Sequence, residues 1–203
     1  MSTITTSNSL SVDDLGSAAQ RDRRKRILDA TITLAAQGGF DAVQMRGVAE
    51  QADVALGTLY RYFPSKIHLL VSALGREFER AESRLAGRPL EGDTASERVI
   101  NVLRATTRGL QGDPHLTDAL TRTFMFADSS VGAEIHAVGM QLTSMLTRAM
   151  HPERTDLTDD DVAIARVIGD VWLSALVAWV TGRATAAETA AHMERAVHLL
   201  LRD

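Results

Sequence analysis

The side chains best suited to binding chemistry lie together between Val43 and Lys66, in the stretch VQMRGVAEQADVALGTLYRYFPSK. Both tyrosines of the chain, Tyr60 and Tyr62, flank Arg61 there. A phenol can donate a hydrogen bond to a phosphate oxygen while its ring packs beside a sugar or a thymine methyl group, and an arginine can donate to the edge of a guanine. This combination predicts contact with double-stranded DNA.

The residues around this trio support the same prediction. Gly57 has no side chain at a point where a DNA backbone would approach closely, and Lys66 can place a cation against the phosphates. Arg21 and residues 23–26 put five cations into six positions on the flank, although a solvated helix face is the plainer interpretation of such a run by itself. The candidate DNA contacts are Arg23, Arg24, Gln44, Arg46, Gly57, Thr58, Tyr60, Arg61, Tyr62 and Lys66.

Two short helical patterns must position these side chains. Apolar residues recur at helical spacing over residues 45–52, and a second helical pattern over residues 56–62 follows a three-residue break, which is helix-turn-helix spacing. The second helix should end at Phe63, because the residue before Pro64 is pushed out of the α region. Leu59 is expected to face the core with Phe63, leaving the other side chains displayed. The structural alternative is a tyrosine-rich corner between two packed helices.

The rest of the chain is predicted to be helical as well. Only four prolines occur, so the long segments between them are free to form helices. No run of residues alternates with period two for long enough to compete as a strand. The predicted fold class is therefore all-α, with an N-terminal three-helix module that contains the helix-turn-helix and a C-terminal helical domain for ligand binding and dimerisation. Capping-box spacing marks three predicted helix starts, at Thr94 with Glu97, Thr158 with Asp161, and Thr185 with Glu188.

Glycines mark the predicted helix ends. A glycine adopts the left-handed conformation of a helix C-terminus without a side-chain clash. This interpretation places helix ends at Gly38 with Gly39, Gly87, Gly112 and Gly182.

Composition excludes several classes of function. The 203 residues are 45% hydrophobic, too many for a disordered chain, and a net charge of −4 excludes a uniformly basic coat. The absence of cysteine excludes disulfides and thiolate zinc sites. The three aspartates at 159–161 are expected to stabilise a helix N-terminus rather than to bind a metal. Since no phosphate-binding glycine motif, zinc-protease motif or nucleophile-elbow motif occurs, we expect no enzyme, no metal and no cofactor.

With these motifs the sequence resembles the tetracycline-repressor (TetR) family of bacterial transcription regulators. The likeness is carried by LGTLYRYFPSK, preceded by MRGVAEQADV, and with the first helix it covers about forty-five residues. The resemblance implies a DNA-binding regulator that acts as a homodimer and responds to a small effector. It places Thr58, Tyr60, Arg61, Tyr62 and Lys66 at the family's DNA-contact positions, with Gly57 at the position of close approach.

Two positions depart from the family pattern. The family commonly has a small hydroxyl residue where Gln44 stands and a glycine in the turn where Asp53 stands. Aspartate tolerates a left-handed turn better than most residues, and Gln44 can still donate to a phosphate, although it is a poorer helix cap than serine or threonine.

A narrower likeness is to the family's actinobacterial repressors of sterol catabolism, and it is carried by YRYFPSKIHLLVSALGREF, TRTFMFAD and ARVIGDVWLSALVAW. It implies an effector that is a coenzyme A thioester of a steroid intermediate and that relieves repression of cholesterol-degradation genes. For any single apolar side chain of the second half a dry core is the plainer interpretation, and a cavity lining is favoured only by the family likeness. Arg122 and Arg166 can meet an anionic ligand, with pairing to nearby acids as the alternative use. The candidate ligand contacts are Leu74, Phe78, Phe124, Phe126, Met140, Trp172 and Leu176.

A dimer interface is predicted near the C-terminus. Residues 162–181 are apolar nearly all round and must be buried on several sides, and the stripe that follows over 186–200 completes a helical hairpin. Apolar surface left over from packing on its own chain would meet a second copy in a four-helix interface. The candidate interface residues are Val171, Ala175, Trp179, Met193, Val197 and Leu200.

The predicted organisation is a disordered tail over 1–19, a DNA-binding domain over 20–66 and an effector-binding and dimerisation domain over 67–203. Residues 1–19 lack a basic start and a long apolar stretch, and Arg166 and Asp170 interrupt the most apolar segment, so we expect a cytoplasmic protein without membrane contact. The expected partners are a pseudo-palindromic DNA operator, a hydrophobic or acyl-CoA effector and a second copy of the chain. The alternatives are a repressor of the same family with an unrelated hydrophobic effector, and a helical lipid-binding protein that never touches DNA.

Overall fold

The computed structural model describes residues 12–85 and 89–202, and every regular element in this part of the chain is helical. A 3₁₀ turn at Ser129–Val131 joins the sixth and seventh helices. The all-α fold class is therefore confirmed for the described residues. The helices are α1 (Val12–Ala42), α2 (Met45–Gln51), α3 (Leu56–Tyr62), α4 (Lys66–Leu85), α5 (Ala95–Gln111), α6 (Pro114–Phe126), α7 (Gly132–Met150), α8 (Asp159–Val180) and α9 (Ala186–Leu200).

The helices pack around two hydrophobic cores. The head consists of α1 to α3, and its core is closed by residues of α4 and α6, such as Leu70 and Ala119. The body consists of α4 to α9, and its core includes Phe78, Leu146 and Trp172. The predicted domain boundary at residue 66 does not coincide with a division of the cores, because α4 packs in both. Its residues Leu69, Leu70 and Ala73 lie in the head core, and Val71, Leu74 and Phe78 lie in the body core.

The first helix differs from the prediction at its start. Its residues 12–19 are helical, whereas the sequence predicted a disordered tail over 1–19; the remainder of that tail lies outside the described residues. Ala18, Ala19 and Gln20 favour helix, so the helix continues upstream of the basic cluster.

Helix ends occur at Gly112 and Gly182 as predicted, and Gly38 with Gly39 interrupt the helical backbone of α1, but Gly112 is not left-handed. Gly39 and Gly182 have positive φ angles of 68° and 70°. Gly112 has φ −65°, because its N–H still donates to the carbonyls of the last turn of α5, and the chain then passes directly to the Asp113 cap of α6. Gly87 lies outside the described residues.

All three predicted capping boxes are present, at the starts of α5, α8 and α9. The one at α8 also connects to the preceding helix. The Asp161 carboxylate accepts from the N–H and the hydroxyl of Thr158 at 2.9 and 2.8 Å, and it lies 2.8 Å from Nε2 of His151. Hydrogen bonds from Thr158, followed by that from His151, lower the pKa of Asp161 from 3.8 to about 2.

Replacement of this cap tests its contribution to stability. Thr158→Ala removes the hydroxyl that accepts from the Asp161 N–H, and we expect a loss of about 1 kcal/mol in the free energy of unfolding at neutral pH. Because the pKa of Asp161 is lowered in the folded state, its stabilisation is present above the unfolded pKa and is lost as the pH falls from about 4 towards 2. The difference between wild type and variant should therefore shrink over this acidic range in urea unfolding curves. Thr155→Ala, in the exposed loop before α8, is the matched control and should leave stability unchanged.

Candidate DNA-binding surface and effector cavity

The apolar side of helix α3 packs in the head core, and its opposite, polar side is exposed to solvent. Leu59 and Phe63 are buried, as predicted, and Tyr60 is 47% exposed, with Arg61 exposed beside it. The helix has seven residues, so it owes its stability to this packing rather than to its own hydrogen bonds. Its displayed donors are consequently held in place before any partner binds.

The turn before α3 is fixed by the basic cluster of α1. Arg26 Nη1 donates to the carbonyl oxygen of Ala52 at 2.6 Å and to that of Asp53 at 3.3 Å. Asp53 has a positive φ of 51°, which confirms that aspartate serves in this turn where a glycine is common in the family. Arg26 is therefore a structural residue of the head.

Two other cations of the cluster lie beside α3. The Arg24 guanidinium carbon lies 5.7 Å from the centre of the Phe63 ring. Arg23 shares the wall of a surface depression with Arg61 and Tyr62. The fold thus gathers on one surface side chains that are almost forty positions apart in the sequence, and this surface carries donors of the kind that contact phosphates and base edges.

Gly57 is exposed, and a Cβ atom built there would meet no heavy atom within 4 Å. Nothing within the protein requires a glycine at this position. The open space therefore lies on the outer side of α3, where another molecule can approach the backbone.

Gln44 and Arg46 lie at the start of α2, where both are exposed. Gln44 does not cap the helix, since its amide nitrogen donates to the Asp41 carbonyl at 2.8 Å. Arg46 pairs loosely with Glu50 at 3.6 Å, so its guanidinium remains accessible.

Lys66, a predicted phosphate contact, lies beside Phe40. Its Nζ lies 3.9 Å from the centre of the Phe40 ring, at the junction of α1 with the body. Partial burial lowers the pKa of Lys66, opposed by the nearby Asp41 carboxylate. The cation–π contact stabilises the ammonium group at this junction.

The body contains a cavity of about 350 Å³ between α4, α6, α7 and α8. This volume is in the range of small-molecule sites. Three threonines also line it, Thr117, Thr121 and Thr143, which the sequence did not single out because threonine at helical spacing is equally common on a core face. Exposed lining residues include His136, and the predicted candidate Arg166 is on the wall. The other predicted residues on the wall are Leu74, Phe78, Phe124, Met140, Trp172 and Leu176.

Phe126 does not line this cavity, contrary to prediction. It is 55% exposed and its ring centre lies 5.3 Å from that of Phe40. Phe126 is the last residue of α6, and its side chain points towards α1. Arg122 also faces α1 and pairs with Asp41 at 2.9 Å and with Asp118 at 3.3 Å, which is the alternative use expected for it.

Helix α6 joins the head to the cavity, as α4 also does. Leu120 of α6 lines the cavity and packs in the body core, whereas Ala119 packs in the head core. On the α1 side, the Asp118 carboxylate accepts from the Phe40 N–H at 3.3 Å. A Cβ atom on Gly39 would lie only 2.7 Å from the same carboxylate, so this glycine permits the close approach of the two helices.

The predicted helical hairpin of α8 and α9 is present, but half of the predicted interface residues face inward. Ala175, Met193 and Val197 are at most 8% exposed within a single chain. They pack towards α5, because α5 lies against the stripe that the sequence predicted for the partner copy. Exposed apolar side chains lie elsewhere on the hairpin, at Val167 and Leu199, which are 45% and 66% exposed.

Helix α8 is the one helix among the described residues that is long and apolar enough to cross a membrane. About a third of its most apolar stretch is buried inside the protein. Its first turn holds the three aspartates of residues 159–161, and Asp161 serves the capping box as described. The part of the chain that the structure describes contains no group of three metal-binding side chains.

Comparison with known protein families agrees with this arrangement. Residues 27–73 match the family described as "Bacterial regulatory proteins, tetR family". Residues 92–200, more than half of the chain, match "Tetracyclin repressor-like, C-terminal domain". The chain belongs to the TetR family. The expectation that it is not an enzyme is confirmed by this membership, since the related proteins are transcriptional regulators.

Individual relatives extend the likeness along the chain. The HTH-type transcriptional repressor KstR of Rhodococcus jostii is 57% identical over 96% of this chain and 90% of its own length. KstR of Mycolicibacterium smegmatis is 54% identical over 95% of this chain and 93% of its own length. A crystal structure of a TetR regulator from Rhodococcus sp. RHA1 superimposes with a TM-score of 0.83 at 31% identity, covering 90% of this chain and 97% of that one. The FadR regulator of Bacillus subtilis, solved with stearoyl-CoA, shares the fold at 22% identity and a TM-score of 0.59, covering 87% of this chain and 97% of its own.

The α3 surface can be tested directly. We expect the double variant Tyr60→Ala with Arg61→Ala to lose at least about tenfold in affinity for an operator duplex, because each lost base contact costs about 1–3 kcal/mol. The duplex is recovered by genomic footprinting of bound sites, and affinity is measured by fluorescence anisotropy over a range of salt concentrations. Arg148→Ala, an exposed residue of α7, is the control. Unchanged operator affinity in the double variant would contradict the assignment of α3 as the reading helix.

Proposed function

We propose that this protein is a DNA-binding transcriptional repressor of sterol catabolism genes, which leaves its operator when a steroid-type effector binds in the body. The observation that carries this proposal is the 57% identity to KstR over nearly the whole chain. The exposed donors of α3 supply the DNA surface, and the apolar cavity supplies the effector site. A location in the cytoplasm follows from the same proposal.

The class of effector rests on the resemblance to repressors of sterol catabolism described above, which implies a coenzyme A thioester of a steroid intermediate. The cavity walls are mostly apolar, as a steroid nucleus requires, and Arg166 and His136 are the polar, exposed side chains along the wall that can approach an anionic head group. A repressor of the same family with another hydrophobic effector would use the same walls.

DNA recognition requires a second copy of the chain. A helix of two turns makes few base contacts, and two such helices about 34–36 Å apart reach successive major grooves of a pseudo-palindrome. The exposed apolar side chains of α8 and α9, with Val167 and Leu199 among them, supply the surface for an isologous four-helix interface.

The coupling between effector and DNA runs through α6. An effector in the cavity contacts Leu120 and Phe124 on one side of this helix, while Asp118 on another side holds the end of α1. Because α1 carries the head, a shift of α6 changes the position of α3 relative to its copy. The effector must bind more tightly to the arrangement that does not fit the operator.

A charged substitution in α9 tests the proposed dimer interface. Leu199→Arg places a charge on the proposed contact surface of α9, and we expect the dimer to dissociate at micromolar concentration and operator affinity to fall at least about tenfold. Sedimentation velocity measures the mass, and circular dichroism checks that the helices persist. Leu157→Arg, at an exposed leucine in the loop before α8, should leave the dimer intact. A Leu199→Arg protein that remains dimeric would overturn the assigned face.

The α6 coupling is tested by Asp118→Asn, which weakens the bonds to the Phe40 N–H and to Arg122. In wild type, a steroid coenzyme A thioester should release the operator duplex in anisotropy measurements. The variant should still bind the duplex, but the loss of affinity at saturating effector should be several-fold smaller, because α6 holds α1 less firmly. Asp93→Asn, in the exposed loop before α5, should respond as wild type does. If wild type keeps its operator affinity at saturating thioester, the effector assignment fails; if Asp118→Asn is released as fully as wild type, the α6 route fails.

A further inference from the structure

The body contains a second cavity that the proposed function does not use. It has a volume of about 320 Å³ and lies between α5, α8 and α9. Its walls include buried apolar side chains of all three helices, Leu103, Leu176 and Val197 among them. Both the volume and the lining are those of small-molecule sites.

The cavity exists because small side chains occur where the hairpin faces α5. Ala175 of α8 and three alanines of α9, Ala186, Ala187 and Ala190, line it. A single methyl group at each of these positions leaves a gap that a leucine would fill. The cavity therefore results from the alanines of α8 and α9.

The polar part of the lining is cationic. Arg104 is neutralised by Glu194, with Nη2 and Oε1 2.6 Å apart. Arg108, one turn further along α5, is exposed and has no acidic partner among the described residues. Gln111 follows three positions later on the same face and also lines the cavity. The lining thus offers one uncompensated positive charge and an amide beside an apolar interior.

Leu176 lines both this cavity and the effector cavity, and so does Trp172. Its indole Nε1 donates to Thr107 Oγ1 of α5 at 2.8 Å, and its ring meets that of Phe78 edge-on with centres 6.1 Å apart. The indole therefore extends from α8 to α5, and it is fixed by its hydrogen bond to Thr107 and its ring contact with Phe78. A molecule in either cavity touches the same side chain.

We propose that the cavity between α5, α8 and α9 is a second binding site, which takes an amphipathic anion with its apolar body against Trp172 and its carboxylate at Arg108. Because the two cavities share Trp172, occupancy of the second site alters the wall of the first, and the coupling is reciprocal. The site is distinct from the effector cavity and does not depend on the identity of the effector.

The test uses the full chain with Trp179→Phe, which leaves Trp172 as the one tryptophan. Dodecanoate is the probe, and 1-dodecanol is its uncharged counterpart. We expect a saturable change in Trp172 emission with dodecanoate and binding at least about tenfold weaker with dodecanol, since a charge-assisted hydrogen bond to Arg108 is lost. Arg108→Gln should weaken dodecanoate binding by a similar factor and should leave dodecanol binding unchanged.

Matched substitutions separate this site from the effector cavity. Ala190→Leu narrows the second cavity and should weaken dodecanoate binding. Gly139→Leu, on the wall of the effector cavity, should not weaken it, and neither should Ala137→Leu on the exposed side of α7 or Arg148→Gln. Thermal unfolding confirms that each variant is folded. The proposal is overturned if Trp172 emission shows no saturable response, if dodecanol binds as tightly as dodecanoate, or if Arg108→Gln and Ala190→Leu both bind dodecanoate like the parent. No DNA is present in this assay, so its outcome is independent of the operator and effector experiments.

Discussion

Helix α6 takes part in both hydrophobic cores, and the relation between the two halves of the molecule depends on it. Ala119 packs with the head, and Leu120, the next residue, packs with the body. Adjacent positions of a helix point in directions about 100° apart, so a single short helix can serve two cores only if it lies between them. Asp118 and Arg122 reinforce the contact with α1 by hydrogen bonds and ion pairs. The head therefore cannot move without α6, and the wall of the effector cavity cannot move without α1.

The same junction explains the positions of Lys66 and Phe126. Both meet Phe40, Lys66 by its ammonium group and Phe126 by its ring. The end of α1, the start of α4 and the end of α6 converge there, and the exposed aromatic ring of Phe126 shields part of this junction. Lys66, which the sequence assigned to DNA, contributes to the contact between head and body. Phe126, which the sequence assigned to the ligand, contributes to this contact instead of lining the cavity.

Trp172 lies in the interior of the body, where it lines both cavities. An indole hydrogen-bonded to Thr107 has its polar group satisfied, so it can remain buried between two cavities without the cost of an unpaired donor. Helix α8 carries this side chain inward and leaves Val167 exposed on the outside. Different positions around the axis of α8 therefore serve different purposes: some pack in the core, some line the two cavities, and some belong to the proposed dimer surface.

The sequence by itself determined the local features. Capping boxes, the two-turn helix α3 and the buried pair Leu59 and Phe63 follow from interactions among residues fewer than ten positions apart, and all are present. Most of the cavity lining was also predictable, since large apolar residues on helix faces point to an interior. Only the tertiary structure decided which face of a helix meets which neighbour: Met193 and Val197 pack on α5 rather than on a partner, and Arg26 rather than another cation of its cluster closes the turn at Asp53. The reason is geometric, because helical periodicity identifies an apolar face, whereas the partner of that face depends on the packing angles of helices far apart in the chain.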